Sequence, residues 1–287
     1  MVKNINHQSI KADNFSIVVA KPIGFCSGVE RAIRMAKRVM DTNGRVYSLG
    51  PLIHNPIVVA ELLRQGLEPV ETIEQATNGT LVIRSHGCAP DLLKKAQTLK
   101  VKIVDATCPN VAKAQRYAKD LSEGGYTVVV VGDPSHPEVK SILAYAKEFG
   151  IVYKVGMKIS ASKIGILAQT TTSSSLFHKA IAELIRHNFD ELRVFNTICE
   201  EAAARQKAVK EIGTRVDLVL IVGGKNSANT RRLAETVQAI DKPVYHIEHK
   251  EELDRKWLAG LRRIGIAAGT STPSLVIDEI VEILKHW

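Results

Sequence analysis

Short apolar runs rich in β-branched residues alternate with amphipathic segments along the whole chain. The segment 127–131 is threonine followed by four valines, and the segment 218–222 is entirely aliphatic. Continuous apolar runs of this kind are typical of strands covered on both faces, and their alternation with helical patterns predicts an α/β fold with mostly parallel sheets. Strands are predicted at 16–20, 46–49, 80–84, 102–105, 127–132, 163–168, 192–196, 218–222, 244–247 and 264–268, and helices at 29–40, 111–123, 202–213 and 274–286 among others.

One plan occurs three times in the chain: a strand, a tight turn, a cysteine and a helix. The three cysteines are Cys26, Cys108 and Cys199. A polar residue follows a second strand 28 positions after each cysteine, and another follows a further strand after 60, 62 or 72 positions. In chain order these pairs are His54 and His86, His136 and Thr170, and Ser227 and Ser271.

The repeats predict three homologous α/β units, at 1–107, 108–195 and 196–287. In open parallel sheets, ligands bind at the carboxyl ends of the strands, which is where each unit carries its thiol and its two polar groups. If the units face one another about a pseudo-threefold axis, all three thiols and six polar side chains converge. The repeats therefore predict three α/β units, each of which carries one thiol and two polar groups at the same edge of its sheet.

Three converging cysteines point to a metal. The polar start of the chain lacks the apolar segment of a signal peptide, so a cytoplasmic protein with reduced thiols is expected. Each repeated cysteine opens a helix, whose N-terminus is predicted to lower the thiol pKa. No C-x-x-C pair of a common zinc site is present. A [4Fe–4S] cluster with one open iron, a three-cysteine zinc site and a redox thiol cluster all remain open, while Cys88 is predicted to be a small buried hydrophobe.

Composition narrows the class of ligand. The 287 residues include 39 Lys+Arg and 30 Asp+Glu, a net charge of +9, and only 5% are aromatic. The charge suits an anionic substrate, an acidic protein partner or nucleic acid, but so few aromatic residues argue against reading single strands by stacking. On this ground no nucleic-acid partner is expected. No apolar stretch approaches the 18 residues of a membrane span, so no membrane partner is expected either.

The polar residues at the strand ends suit an anion and a proton transfer. The loop 223–230 contains two glycines, Ser227 and Asn229 before a helix, and backbone N–H groups in such a loop favour phosphate. It lacks the residue order of a Walker A loop, and no G-x-G-x-x-G is present. Glu138, two residues after His136, is the carboxyl group placed to deliver a proton to the same site.

These motifs resemble the 4-hydroxy-3-methylbut-2-enyl diphosphate reductase family, the LytB/IspH family of non-mevalonate isoprenoid biosynthesis. The resemblance extends from about Ser16 to the C-terminus. The matching motifs are Gly24-Phe-Cys-Ser-Gly-Val-Glu-Arg, His54-Asn-Pro, Ser85-His-Gly, Asp105-Ala-Thr-Cys-Pro, His136-Pro-Glu-Val, Gln169-Thr-Thr, Asn196-Thr-Ile-Cys with Arg205-Gln, Asn226-Ser-Ala-Asn and Gly269-Thr-Ser-Thr-Pro.

The resemblance implies a trefoil fold around a central [4Fe–4S] cluster and a role for each matched residue. Cys26, Cys108 and Cys199 correspond to the cluster ligands, with one iron left open for the substrate's hydroxyl. Glu138 corresponds to the acid, and Thr170 to the threonine beside that hydroxyl. The diphosphate-binding positions correspond to His54, His86, His136, Ser227, Asn229 and Ser271. The implied reaction is a two-electron reductive dehydroxylation that gives isopentenyl and dimethylallyl diphosphates, with reduced ferredoxin or flavodoxin as electron donor.

The chain departs from the family pattern at a few positions. Glu201 and Ala202 stand where the family commonly has alanine and threonine, Ala228 stands where a second serine is frequent, and Cys88 is unusual. These differences keep open a paralogous iron–sulfur enzyme acting on a related allylic or phosphorylated substrate. Two rival classes also remain: a non-redox protein with a three-cysteine metal site, and an iron–sulfur protein that binds nucleic acid.

Overall fold

The computed structural model describes residues 7–42 and 44–287. Over that part of the chain, thirteen strands and nine α-helices alternate. The strands are β1 (His7–Lys11), β2 (Ser16–Ala20), β3 (Arg45–Leu49), β4 (Leu67–Val70), β5 (Gly79–Ile83), β6 (Lys102–Asp105), β7 (Thr127–Val131), β8 (Gly150–Val152), β9 (Lys163–Ala168), β10 (Glu191–Phe195), β11 (Leu218–Val222), β12 (Val244–Ile247) and β13 (Arg263–Ala268).

The α-helices begin soon after strand ends, as expected for βαβ units. They are α1 (Ser27–Met40), α2 (Pro56–Arg64), α3 (Pro90–Thr98), α4 (Pro109–Glu123), α5 (Pro137–Ala146), α6 (Ser174–Leu184), α7 (Glu200–Gly213), α8 (Ala228–Gln238) and α9 (Ser274–Lys285). Among residues 7–42 and 44–287, none of the helices has both the length and the apolar character required to cross a bilayer.

The strands form three sheets. Sheet 1 has the order β4-β3-β5-β6, sheet 2 has the order β10-β9-β7-β8, and sheet 3 has the order β1-β2-β13-β11-β12. Every neighbouring pair is parallel except β1 with β2. The α/β class with mostly parallel sheets, as predicted from the alternating pattern, is confirmed.

Helices cover both faces of sheets 2 and 3. In sheet 3, apolar residues of α9 pack on one face and those of α7 and α8 on the other. In sheet 2, α4 and α5 cover one face and α6 covers the other. Burial on both faces explains why the central strands β7 and β11 are continuous aliphatic runs rather than alternating ones.

All ten predicted strands are present, with bounds that agree within one residue. The three strands without a prediction are β1, β4 and β8, and each lies at the edge of its sheet. An edge strand is covered less completely, so its sequence lacks the strong apolar signal of a central strand. β1, for example, is a largely exposed segment.

The chain divides into two compact units. Unit 1 comprises the described part of Met1–Cys26 together with His54–Val58 and Glu200–Trp287, and it contains sheet 3. Unit 2 comprises Ser27–Ile53 and Val59–Cys199 and contains sheets 1 and 2.

The strand that precedes each repeated cysteine belongs to the sheet of the preceding repeat. β6 precedes Cys108 and pairs with β5 in sheet 1, and β10 precedes Cys199 and pairs with β9 in sheet 2. By the same rule β2, which precedes Cys26, pairs with β13 in sheet 3. The strand at 16–20 therefore lies with the predicted third range and not with the first, while the division into three domains stays a prediction.

Candidate active site

Each repeated cysteine is fixed by its backbone to the loop after a neighbouring strand. In all three cases the cysteine N–H donates to the carbonyl of the second residue beyond the strand end. The pairs are Cys26 with Thr270 (3.0 Å), Cys108 with Ser85 (2.9 Å) and Cys199 with Thr170 (2.8 Å). The thiols therefore lie beside the carboxyl ends of β13, β5 and β9, next to polar residues that the sequence placed at those ends.

This shared register corrects one detail of the repeat. His86 and Ser271 are the third residues after their strands, whereas Thr170 is the second and is equivalent to Ser85 and Thr270. The unequal sequence spacings concealed this shift, because the segments between the cysteines and these strands differ in length.

The cysteines are thiols at helix starts. Within the described residues none of the four cysteines forms a disulfide, and those at 26, 108 and 199 are partly buried. Burial raises the pKa of Cys108, although the backbone N–H groups of Asn110 and Val111 act in the opposite direction. The predicted lowering of the thiol pKa by the helix start is thus outweighed at Cys108 by desolvation. Such a thiol suits a metal, whose positive charge compensates the buried thiolate.

Cys88 differs from the repeated cysteines. It is buried in the apolar core of sheet 1, and burial raises its pKa to about 12. The prediction that Cys88 is a small buried hydrophobe is confirmed.

Unit 1 contains a polar loop between β11 and α8. Ser227 caps α8 by accepting a hydrogen bond from the Thr230 N–H at 3.3 Å. Asn229 is only 2% exposed, and neither its amide nitrogen nor its amide oxygen has a hydrogen-bond partner among the residues described. A buried amide without partners costs stability, so its presence favours a polar ligand at this position.

Two further predicted residues of unit 1 lie against this loop. Ser271 Oγ donates to the His54 carbonyl oxygen at 3.2 Å. A Cβ atom at Gly224 would overlap that same carbonyl oxygen. Only glycine at 224 allows this close approach, which places His54, Ser271 and the start of the loop in one neighbourhood.

Unit 2 brings Glu138 and Thr170 together. Glu138 is 2% exposed, and its carboxylate accepts hydrogen bonds from the Thr170 N–H (2.6 Å) and the Thr170 hydroxyl (2.9 Å). The Thr170 carbonyl in turn accepts from Cys199, so one residue connects the carboxyl group to a cysteine. His136 caps α5 through Nδ1, which accepts from the Glu138 N–H at 3.2 Å. The His136 ring also packs edge-on against His86, with centroids 5.1 Å apart.

The environment of Glu138 suits an acid that works near neutral pH. Burial raises the pKa of its carboxyl group from 4.5 to about 7, although the two hydrogen bonds from Thr170 oppose the shift. A general acid is most effective when its pKa lies near the working pH. Glu138 can therefore hold a proton at neutral pH and release it to a reacting group.

Arg205 is a site residue whose position the sequence pattern did not explain. Although charged, it is only 3% exposed, and it donates to three backbone carbonyls of unit 1. The sequence does contain a signal that Arg205 is buried, which is its position in α7. It lies on the same face of that helix as the buried residues Ala202, Val209 and Ile212. An arginine in an apolar stripe indicates a specific buried partner.

Comparisons with known proteins agree over nearly the whole chain. A family model described as LytB protein matches residues 17–285. The 4-hydroxy-3-methylbut-2-enyl diphosphate reductase of Geobacter sulfurreducens is 44% identical over 277 residues, which cover 94% of this chain and 97% of that protein. The enzyme of the same name from Geotalea daltonii is 45% identical over 276 residues, with 94% and 96% covered.

Solved structures give the same result. The structure of an (E)-4-hydroxy-3-methyl-but-2-enyl diphosphate reductase has a TM-score of 0.68 and 38% identity, covering 93% of this chain and 97% of the other. The E-1-hydroxy-2-methyl-but-2-enyl-4-diphosphate reductase of Plasmodium falciparum has a TM-score of 0.88 and 25% identity, covering 95% and 88%. With a family match and relatives that extend over almost its full length, this chain belongs to the LytB protein family.

Proposed function

We propose that this protein reductively dehydroxylates 4-hydroxy-3-methylbut-2-enyl diphosphate to isopentenyl and dimethylallyl diphosphates. The observation that carries the proposal is the near full-length similarity to reductases of that name. The buried Glu138–Thr170 pair supports it, because the reaction needs an acid. Overall, the allylic hydroxyl leaves as water while the substrate takes up two electrons and two protons.

The three repeated cysteines fit an iron–sulfur cluster with an incomplete protein ligand set. Three partly buried thiols lie at helix starts, while the fourth cysteine is buried in an apolar core outside the repeat. Cys26, Cys108 and Cys199 would hold a [4Fe–4S] cluster, which when bound supplies electrons and a Lewis-acidic iron. A three-cysteine zinc site is the competing assignment. Anaerobic purification distinguishes them, because the cluster gives a brown protein containing iron and sulfide, and zinc gives a colourless one.

The remaining predicted residues bind and orient the substrate in this proposal. His54, His86, His136, Ser227, Asn229 and Ser271 supply donors for the diphosphate, which needs a basic, donor-rich site. Binding energy from that remote group holds the reacting end in place. Thr170 orients the hydroxyl end, and Glu138 delivers a proton so that the hydroxyl leaves as water, a far better leaving group than hydroxide.

Asn229 allows a test of substrate binding that separates function from stability. In Asn229→Leu we expect KM for the diphosphate to rise about 10-fold or more, because a buried amide that serves the substrate is lost. The melting temperature of the substrate-free protein should stay the same or rise, because two buried polar atoms without partners are removed. Steady-state kinetics and thermal unfolding measure the two effects.

The matched control for Asn229 is Asn226→Leu, at an exposed position of the same loop. It should leave KM unchanged. A normal KM in Asn229→Leu, or an equal rise in both variants, would remove Asn229 from the substrate site.

We further infer that an acidic electron donor, ferredoxin or flavodoxin, docks on the exposed basic face of α1. Arg34, Lys37 and Arg38 are exposed on this helix, which begins directly after Cys26. Arg31, which is one turn before Arg34 on the same helix, is half-buried and donates to the Thr107 carbonyl at 3.0 Å, so it is not part of this exposed face. The proposed reaction takes place in the cytoplasm, where reduced donors and thiolate ligands persist.

Charge reversal tests the docking face. Changing Arg34, Lys37 and Arg38 together to Glu should lower the rate with reduced ferredoxin or flavodoxin and remove its salt dependence. The rate with a reduced viologen should persist, because a small reductant needs no protein interface. Reversal of Lys207 and Lys210, exposed on α7, is the control and should change neither rate. Equal loss with both reductants, or no loss with either, would contradict this docking face.

A further inference from the structure

Three side-chain donors contact the turns that carry the repeated cysteines. Asn110 Nδ2 donates directly to Cys199 Sγ at 3.3 Å. Arg31 Nη1 donates to the carbonyl of Thr107, the residue before Cys108, at 3.0 Å. Arg205 Nη2 donates to the carbonyl of Gly24, two residues before Cys26, at 2.8 Å. Each cysteine turn is therefore held by one donor from a helix elsewhere in the sequence.

The donors follow a cyclic order along the chain. Each donor's helix begins at the residue directly after one cysteine, and the donor contacts the turn of the next cysteine. Thus α1, which follows Cys26, holds the Cys108 turn through Arg31. Likewise α4, which follows Cys108, holds Cys199 through Asn110, and α7, which follows Cys199, holds the Cys26 turn through Arg205.

The hydrogen bonds of Arg205 require the two terminal nitrogens of a planar guanidinium group. Besides Gly24, Arg205 donates through Nη1 to the carbonyls of Pro22 (2.8 Å) and Ala268 (3.2 Å). These bonds join the turn before Cys26 to the end of β13, whose following loop receives the Cys26 N–H. Gly24 has φ of +81°, a backbone conformation that glycine adopts readily and that lets the chain turn just before Cys26. Lysine cannot replace this arrangement, because its single ammonium group does not span the two donor positions.

The Asn110 contact acts on the ligand atom itself. Asn110 is exposed on the first turn of α4, so packing does not explain its orientation toward the Cys199 sulfur. Hydrogen bonds to cluster sulfurs raise the reduction potential, because they stabilise the more negative reduced state. A donor at this position therefore fixes the orientation of the thiol and would raise the reduction potential of a cluster bound to it.

We propose that Arg31, Asn110 and Arg205 are positioning residues, each of which holds the cluster-binding cysteine that comes next in the cyclic order. The proposal rests on the proposed ligation by Cys26, Cys108 and Cys199. Its distinctive consequence is directional: loss of a donor loosens the cysteine of the following turn and not the cysteine at the start of the donor's own helix. A general loss of stability would loosen all three alike.

The cyclic order of donors and cysteines can be tested by measuring how fast the anaerobic holoenzyme loses its cluster and which cysteine becomes reactive first. Arg31→Lys, Asn110→Ala and Arg205→Lys are mixed with an iron chelator and an alkylating reagent, and mass spectrometry identifies the first cysteine to react. Cluster loss should be about 10-fold faster than in the wild type, as expected when a local opening loses a hydrogen bond to a charged group. The first cysteine alkylated should be Cys108 in Arg31→Lys, Cys199 in Asn110→Ala and Cys26 in Arg205→Lys.

Controls on the same helices isolate the contact from the substitution. The controls are Arg34→Lys on α1, Lys113→Ala on α4 and Lys207→Ala on α7, which all change exposed residues. They should keep the wild-type rate of cluster loss and the wild-type order in which the cysteines are alkylated. Cys88, buried in the core of sheet 1, is an internal reference that should react late in every sample. The Asn110→Ala holoenzyme should also have a more negative midpoint potential, which a purely structural role would not predict.

The proposal would be overturned if the first cysteine alkylated were the one directly before the substituted helix, or if all three cysteines reacted at equal rates. It would also be overturned if all three variants lost the cluster at the wild-type rate. Asn110→Ala changes an exposed side chain, so the test does not depend on whether the arginine variants fold. Failure of the proposed function is a separate result: the wild-type protein would then contain no iron–sulfur cluster at all.

Discussion

The variant Glu138→Gln should lose about two to four orders of magnitude in kcat while KM for the diphosphate stays near the wild-type value. Glutamine fills the same buried space and can still pair with Thr170, but it has no proton to give. Steady-state kinetics with a viologen reductant measures the loss. Iron content and the absorbance spectrum should be unchanged, because Glu138 is not a proposed ligand.

The pH profile adds a sharper criterion. Because the pKa of Glu138 is raised to about 7, the carboxyl group is protonated below that pH and loses its proton above it. The kcat/KM of the wild type should therefore fall as the pH rises past about 7, and this fall should be absent in Glu138→Gln. Thr170→Val removes a hydrogen bond that lowers the pKa, so it should move the falling limb to higher pH.

Glu148→Gln serves as the control, because Glu148 is exposed just after α5. It should keep both the wild-type kcat and the falling limb. A near-normal kcat in Glu138→Gln would show that another group, such as the substrate's diphosphate, supplies the proton.

The second large effect concerns the cysteines. Changing Cys26, Cys108 or Cys199 to serine should each reduce the activity to the assay background, because a neutral hydroxyl is a poor ligand for iron compared with a thiolate. Iron and sulfide analysis after anaerobic purification should show a depleted or labile cluster in each variant. The far-ultraviolet circular dichroism spectrum should remain that of the wild type, since each thiol lies in a turn outside the apolar cores.

Cys88→Ser provides the matched comparison. It should retain cluster and activity, with a lower free energy of unfolding because a hydroxyl replaces a thiol in the core of sheet 1. Loss of the cluster in Cys88→Ser together with retention in any one of the other three variants would refute the ligand assignment.

Periodicity predicted the central strands well because burial on both faces leaves a continuous aliphatic run that polar or loop segments do not imitate. β7 and β11 are of this kind and were located within one residue. The edge strands β1, β4 and β8 were missed, because a strand with one free edge needs no such run. The helices that follow the repeated cysteines were placed two residues late, since their first two residues are Ser-Gly, Pro-Asn and Glu-Glu, which do not belong to an apolar helical pattern.

The repeat placed the candidate residues at strand ends, but it did not determine which of them touch. Equal spacing located His54, His136 and Ser227, since the segments between cysteine and second strand have equal length in all three repeats. Spacing did not give the equivalent position for Thr170, because the segments from each cysteine to the later strand differ in length. The hydrogen bond from the Cys199 N–H to the Thr170 carbonyl shows that Thr170 is equivalent to Ser85 and Thr270. The raised pKa of Glu138 was also beyond the sequence, because desolvation depends on what surrounds the carboxyl group.

The sequence by itself determined the α/β class, the central strands, the three equivalent cysteines and the distinction between them and Cys88. These features depend on local pattern and on repetition, which are present in the order of residues. Tertiary structure alone decided that β2 pairs with β13, that Arg31 faces inward, and that Arg205 and Asn110 hold turns far from them in sequence. Such contacts arise from the packing of helices on sheets, which brings together residues far apart in the chain, such as Arg205 and Gly24 at a separation of 181 positions, and no local pattern encodes the partner of a single side chain.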